Sequence, residues 1–212
     1  LSLLVGADGS PLSKRHGATS VREFRERGYL PTALSNHLFR LGHSSSENGV
    51  LSLEAMAKHF TVKHLGRAPA RFHEGELAQL NARIIHQLDY AAVASRLPTG
   101  IDAAGWAAIR PNLSTLAEAA DWWQVIEGPL ASSPDPEDAA FLVQAADAAA
   151  GLDWSEDPWH ALTAQLKEAT GRKGKALFLP LRRAPTGRDS GPDMAALLPL
   201  IGRDRALVRL RG

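Results

Sequence analysis

Glu74-Gly75-Glu76-Leu77-Ala78-Gln79-Leu80-Asn81-Ala82-Arg83-Ile84-Ile85-His86-Gln87-Leu88 is the stretch that decides the fold class. Leu77, Leu80, Ile84, Ile85 and Leu88 recur at the spacing that lines one face of a helix. The pattern predicts a helix over 74–88. Downstream, Ala- and Leu-rich faces predict further short helices over 91–97, 102–110, 116–125, 137–150, 159–170, 175–181, 193–200 and 204–210. Pro98-Thr99-Gly100, Gly128-Pro129, Ser132 to Pro136 and Pro185-Thr186-Gly187 separate them. A run of short helices on short loops is an all-α assembly. Trp106, Trp122, Trp123, Trp154 and Trp159 are expected to pack between these helices, with base stacking as a second use for such rings.

Upstream the pattern is mixed. Leu1 to Val5 reads as one strand. Thr19 or Ser20 caps a helix that Gly28 ends, with Ser20 followed by Glu23 as a capping box. Pro31 opens a second helix, with Ala33, Leu34, His37, Leu38 and Leu41 as its apolar stripe. His37 is expected to be a hydrogen-bonded core histidine. Ser52 caps a third helix over 53–60, and 62–72 reads as extended or irregular.

The chain has 212 residues, room for one large domain or two small ones, and a hydrophobic fraction of 44% that excludes disorder throughout. It has no cysteine, which excludes disulfides and thiolate metal sites and permits a reducing cytosol. No apolar run approaches the roughly 18 residues of a membrane span. Leu1 to Val5 is too short for a signal peptide, and the missing Met suggests a piece of a longer protein. The eight histidines are scattered, so no metal site is expected. No Ser/His/Asp signature is visible either. The net charge of +1 hides an asymmetry: Pro111 to His160 holds ten Asp or Glu and no Lys or Arg, leaving +11 on the rest. Arg172 to Arg188 holds six Lys or Arg and no acid. Such poles either steer an anionic partner, nucleic acid above all, or are solvated helix faces.

One loop concentrates chemistry. In Ala7-Asp8-Gly9-Ser10-Pro11-Leu12-Ser13-Lys14-Arg15-His16-Gly17, the Asp-Gly-Ser-Pro segment is a turn in which Gly9 can take positive φ. Ser13, Lys14 and Arg15 then place a hydroxyl and two cations in succession, a composition that suits a polyphosphate and also an ordinary basic surface loop.

Leu12-Ser13-Lys14-Arg15-His16-Gly17-Ala18 resembles the second ATP signature of class I aminoacyl-tRNA synthetases, in the form found in glutamyl-tRNA synthetases. Gly28-Tyr29-Leu30-Pro31-Thr32-Ala33-Leu34 with Leu38-Phe39-Arg40-Leu41-Gly42, Ala68-Pro69-Ala70-Arg71-Phe72, Leu80-Asn81, and Gly174-Lys175-Ala176-Leu177-Phe178 through Pro180-Leu181-Arg182, Thr186-Gly187 and Gly191-Pro192 resemble further family segments in family order. The resemblance spans both ends and the middle of the chain. It departs at Pro11, where the family usually has Lys.

The resemblance implies an all-α helical cage that reads the anticodon, preceded by stem-contact helices and a remnant of the Rossmann-type catalytic domain. The implied boundaries are 1–17 for the catalytic end, 18–73 for the stem-contact region, and 74–150 and 151–212 for two anticodon-binding subdomains. It implies ATP with Mg as cofactor of a cytoplasmic, monomeric glutamate–tRNA ligase, with Ser13, Lys14 and Arg15 on ATP and Lys14 catalytic through charge stabilisation. The first ATP signature, Pro-x-x-Thr-Gly-x-x-His-x-Gly, is absent from these residues, so this chain alone is expected to be inactive. Arg110, Asn112, Arg172, Lys173, Lys175 and Arg182 are the implied tRNA contacts. Asn112 stands where family members restricted to the glutamate tRNA have an Arg, which implies relaxed discrimination and charging of the glutamine tRNA as well. The alternative is a non-catalytic tRNA-binding module or regulatory paralogue, consistent with Pro11 and Asn112. A helical interaction protein with an incidental basic face is a third reading.

Overall fold

The computed structural model describes residues 2–12, 20–44, 49–130 and 135–212. Those residues form twelve α-helices and one two-stranded sheet, so the all-α expectation holds. The backbone divides into two compact units: Leu1–Leu97 with Leu113–Ala119, and Pro98–Asn112 with Ala120–Gly212.

In the first unit, β1 (Leu4–Val5) pairs in parallel with β2 (Ala70–Arg71), Leu4 beside Ala70 and Val5 beside Arg71. The turn that follows β1 is closed by the Gly6 N–H on the Ser10 carbonyl at 2.8 Å, with Gly9 at φ +85°. α1 (Val21–Glu26) starts on the predicted capping box of Ser20 and Glu23. Gly28, at φ +82°, ends that segment because a Cβ there would lie 2.4 Å from the Ala117 amide nitrogen. The approach lets the Leu116 N–H reach the Gly28 carbonyl at 3.1 Å.

α2 (Pro31–Gly42) has Pro31 in its first turn, as expected. Its inward face differs from the expected stripe: Ala33, Asn36 and His37 are buried, and Leu38 is exposed. Asn36 belongs inside because its amide closes the loop that follows. Its Oδ1 accepts the Leu51 N–H at 2.8 Å, and its Nδ2 donates to the Leu51 and Thr32 carbonyls. A polar residue with every bond made displaces an apolar neighbour from the core. α3 (Leu53–His59) takes its cap from Ser52, whose side chain accepts the Ala55 N–H. α4 (Glu74–Ile85) buries Leu77, Leu80, Asn81, Ile84 and Ile85 and stops short of Leu88. α5 (Tyr90–Val93) and a 3-10 turn over Ala94–Arg96 complete the first ninety-odd residues of this unit.

His37 is buried as expected, but its Nε2 makes no hydrogen bond; the ring packs edge-on against Phe72 at 5.0 Å. Burial holds its pKa below the ordinary 6.5. The depressed value stabilises the fold above the unfolded pKa, and that contribution is lost as pH falls from about 6.5 towards the folded value. Hydrogen-exchange protection of the α2 amides should therefore weaken between pH 7.5 and 5.5. A His37→Leu variant should flatten that dependence; an equally steep one would assign it to another group.

The second unit is a packed set of helices. α6 (Ala103–Ile109) starts on Asp102, whose side chain accepts the Gly105 N–H. α7 (Glu118–Glu127) follows, contributing its residues from Ala120 onward to this unit. Then come α8 (Ala139–Ala150), α9 (Pro158–Thr170), α10 (Lys175–Thr186), α11 (Met194–Ile201) and α12 (Arg203–Arg211). The alanine-rich run in α8 is its packing face: Ala145, Ala146 and Ala149 are fully buried, and small side chains there let α12 and α9 come close. Trp106, Trp122 and Trp159 are buried as expected, while Trp123 and Trp154 are half-buried. Gly191 exists for Trp122, since a Cβ there would lie 2.0 Å from the indole Cη2.

α10 runs five residues beyond its predicted end, through both Pro180 and Pro185, and stops at Gly187 with φ +67°. Pro180 has no N–H for the Ala176 carbonyl one turn back. The Arg172 guanidinium donates to that carbonyl instead, at 3.2 Å. Four arginines of α12 tie it to the rest of the unit: Arg205 donates to the Ile126 carbonyl at 3.3 Å and Arg211 pairs with Asp147. Arg203 donates to the Ala150 carbonyl at 2.9 Å. Arg209, only 7% exposed, donates from Nη1 to the Val125 and Pro185 carbonyls at 2.7 and 2.8 Å, and from Nη2 to Gly128 at 2.7 Å and Ile126 at 3.2 Å.

Candidate RNA interface

Two segments of the second unit carry the residues expected to meet RNA. The first is a 3-10 turn over Arg110–Asn112 that prolongs α6. Proline fixes φ at Pro111 and projects Asn112 into solvent, where it is exposed; Arg110 is half-buried. An exposed amide on a rigid turn can offer both a donor and an acceptor to a base edge.

The second is the loop between α9 and α10. Gly171 at φ +68° ends α9, and Gly174 at φ +54° begins α10 with no side-chain cap. Between and beside them stand Arg172, Lys173 and Lys175. Arg172 is half-buried and held by the fold: its Nη1 donates to the Asp138 carboxylate at 2.6 Å and its guanidinium lies 4.2 Å from the centre of the Phe141 ring. Lys173 and Lys175 are exposed. They flank the positive end of α10, which has no acid in its first turn. Two mobile ammonium groups beside uncapped helix amides attract a phosphate.

Arg182, one heptad beyond Lys175, is turned to the fold instead of to solvent. It is half-buried, donates to the Pro192 carbonyl at 2.9 Å, and burial lowers its pKa. Arg183 is held by both oxygens of Asp189 at 2.5 and 2.8 Å, which raises its pKa. Asp189 is held low in turn, by Arg183 first and by the charge of Lys175. Arg188 lies 4.8 Å above the Trp122 ring. Much of the basic stretch thus serves the fold. The acidic stretch answers it: Asp138 pairs with Arg172 and Asp147 with Arg211 at 3.3 Å, so the charge poles of the sequence partly meet. Sequence reasoning passed over Arg209, because nothing in a lone arginine near a chain end marks it as buried.

Ser13, Lys14 and Arg15 lie outside the described residues. Among the described residues no group of three or more His, Asp or Glu could hold a metal ion, and no helix is long and apolar enough to cross a membrane.

Residues 76–212 match the family described as anticodon binding domain, and residues 1–79 match the catalytic domain of class I tRNA synthetases for glutamate and glutamine. Relatives carry the same order along almost the whole chain. It is 59% identical over 99% of its length to Glutamate–tRNA ligase 1 of Rhizorhabdus wittichii, and 56% identical over 99% to Glutamate–tRNA ligase 1 of Novosphingobium aromaticivorans. The chain belongs to the glutamyl-tRNA synthetase family. It spans about half the length of the curated relatives it matches, 47% of each of these two. Within the family the fold is shared at low identity as well. A glutamate tRNA ligase from Elizabethkingia meningosepticum, solved in complex with its amino acid, superposes with a TM-score of 0.78 at 22% identity, covering 99% of this chain and 49% of that one. The synthetase from Elizabethkingia anophelis gives 0.79 at 22% identity.

Membership gives the motifs noted above a structural meaning. The Leu80-Asn81 pair of the family segment is a core leucine followed by a buried amide that binds two backbones: Asn81 Oδ1 accepts the Leu30 N–H at 2.8 Å and Nδ2 donates to the Ser114 carbonyl at 2.6 Å. The Thr186-Gly187 pair ends α10, with the Thr186 hydroxyl donating to the Arg182 carbonyl at 2.6 Å and accepting the Arg188 N–H. Gly191-Pro192 makes room for Trp122 and receives Arg182.

Proposed function

We propose that this chain is the tRNA-binding part of a glutamate–tRNA ligase that attaches glutamate to tRNA through a glutamyl-adenylate. The match of residues 76–212 to an anticodon-binding domain carries that reading. In the whole protein, ATP with Mg would meet Ser13, Lys14 and Arg15, with Lys14 stabilising the charge that develops on the phosphates. The enzyme works as a cytoplasmic monomer. Functional boundaries near residues 17, 73 and 150 divide the chain into the catalytic end, the stem-contact region and two anticodon-binding subdomains. The glutamate tRNA is the partner. Lys173 and Lys175 make phosphate contacts, while Arg172 and Arg182 support them from within; Arg110 holds the turn that presents Asn112.

Phosphate contacts position RNA and carry the salt dependence of binding. Replacing Lys173 or Lys175 by Ala should weaken tRNA binding by this chain and lower the slope of log affinity against log salt by about one per residue. An unchanged slope in the double variant removes both lysines from the interface.

The exposed Asn112 favours relaxed discrimination. Arg presents a rigid fork of donors where Asn offers a shorter donor and acceptor pair, so Asn112 tolerates a wider choice of base. In tRNA-charging assays on the whole protein, glutamine tRNA should be glutamylated, and Asn112→Arg should cut that charging at least about tenfold relative to the glutamate tRNA. No charging of the glutamine tRNA by the unaltered protein ends this reading. The same assay on the 212-residue chain alone should give no charged tRNA.

A further inference from the structure

A hollow of about 540 Å³ opens in the first unit beside α1 and the head of α2. Its floor is Phe24, Tyr29 and Leu30, all buried. Its walls are aliphatic: Val21 of α1, 69% exposed, with Pro31 and Leu34 of α2. Two cations line it from different elements. Arg25 stands in the last turn of α1, and Arg96 ends the 3-10 turn that follows α5.

Both arginines are exposed, and neither takes part in an ion pair among the described residues. The other charges of α1 do not answer them. Glu23 closes the capping box on Ser20, Glu26 does not line the hollow, and Arg27 is paired with Glu74. The rings of the floor are committed too. Phe24 and Tyr29 meet edge to face at 5.2 Å, and the Arg27 guanidinium lies 5.3 Å from the centre of the Tyr29 ring. At 5% exposure each, they offer no face on which a base could stack. What stays open is an aliphatic socket beside two unneutralised guanidiniums. Such a socket admits one branched aliphatic side chain, and the guanidiniums favour carboxylates next to it. A nucleic-acid backbone supplies the charge and nothing apolar to fill the socket. A protein segment supplies both.

We propose that this hollow is a docking site for a partner protein, which inserts a leucine-type side chain between Val21, Pro31 and Leu34 and sets carboxylates on Arg25 and Arg96. The site goes beyond the tRNA-dependent reading above and uses none of the residues assigned there to RNA or ATP.

The test uses the whole protein that contains this chain and a fluorescein-labelled nonapeptide whose central leucine has two glutamates on each side. Two counterparts carry lysines for the glutamates, or a serine for the leucine. Fluorescence anisotropy should show the acidic leucine peptide binding at least about tenfold tighter than either counterpart. Arg25→Glu combined with Arg96→Glu should reverse the charge preference, so that the lysine peptide binds the tighter. Val21→Glu should weaken the acidic peptide about tenfold, because its carboxylate pairs with Arg25 one turn on and repels the probe. All three positions are exposed, so the melting midpoints should stay close to wild type and the losses read on binding. No saturable binding of the acidic peptide overturns the proposal, and so does binding that charge reversal leaves unchanged. A serine peptide that binds as well as the leucine peptide overturns the socket. Charge reversal that weakens tRNA binding while the peptide is unaffected assigns the arginines to RNA and overturns the docking site as well.

Discussion

Arg209→Met should cost the second unit about 3–5 kcal/mol, the largest single loss expected from any substitution outside the hydrophobic core. The guanidinium makes four hydrogen bonds to the carbonyls of Val125, Ile126, Gly128 and Pro185, and no carboxylate takes part. Three of those carbonyls belong to the last turn of α7 or the residue just past it, where a helix has acceptors without intrahelical donors. That end also carries the negative pole of the helix, so a cation there gains twice. Burial and the neighbouring Arg205 disfavour the charge and lower the pKa of Arg209. The four acceptors offset this penalty. Met fills the volume and removes every Arg209 donor from the Val125, Gly128 and Pro185 carbonyls, while Ile126 keeps the Arg205 donor at 3.3 Å. A melting or urea midpoint measured against wild type reads the loss, and Arg209→Lys should fall between the two because one ammonium can serve only part of the set. A loss below about 1 kcal/mol in the Met variant would mean that water reaches these carbonyls. A domain is stable by only about 5–15 kcal/mol in total, so the Met variant should be visibly less soluble at 37 °C.

Asn81→Ala should cost the first unit about 2–4 kcal/mol. Asn81 is fully buried in α4, and its amide bonds the backbone of Leu30, at the head of α2, and of Ser114, in the segment that returns to this unit. Removing it strands one donor and one acceptor. Asn81→Asp separates the hydrogen bonds from the space: it keeps the acceptor for the Leu30 N–H, loses the donor for Ser114 and buries a charge, so it should be worse than Ala. Hydrogen exchange at the Leu30 amide reports the same bond locally and should quicken by an order of magnitude or more in Asn81→Ala. An Asp variant as stable as wild type would show that the Ser114 bond contributes nothing.

The candidate interface was legible to a different degree at each position. Asn112 could be read because Pro111 fixes a turn whatever surrounds it, and the turn is there with Asn112 exposed. Lys173 and Lys175 could be read because two glycines bracket Lys173, and both lysines are exposed. For Arg172 and Arg182 composition was a poor guide. Both share the basic stretch, yet one is taken by Asp138, Phe141 and the carbonyl that Pro180 frees, and the other by Pro192. A long cationic side chain on a helix end looks the same in sequence whether it reaches outward or folds back on its own backbone.

By itself the sequence determined the helices. Periodic apolar residues, Ser20, Ser52 and Asp102 at helix starts, and Gly171 and Gly187 at helix ends act within one or two turns, so the residues that decide each boundary are neighbours in the chain. Tertiary structure decided what is joined over distance: the pairing of Leu4–Val5 with Ala70–Arg71, the inward turn of Asn36 in place of Leu38, the passage of α10 through two prolines, and the burial of Arg209. Each of these places a polar group where its bonding partner comes from a remote or non-helical backbone. Local pattern carries no trace of such partners, because a buried polar atom is placed by the donor or acceptor that satisfies it.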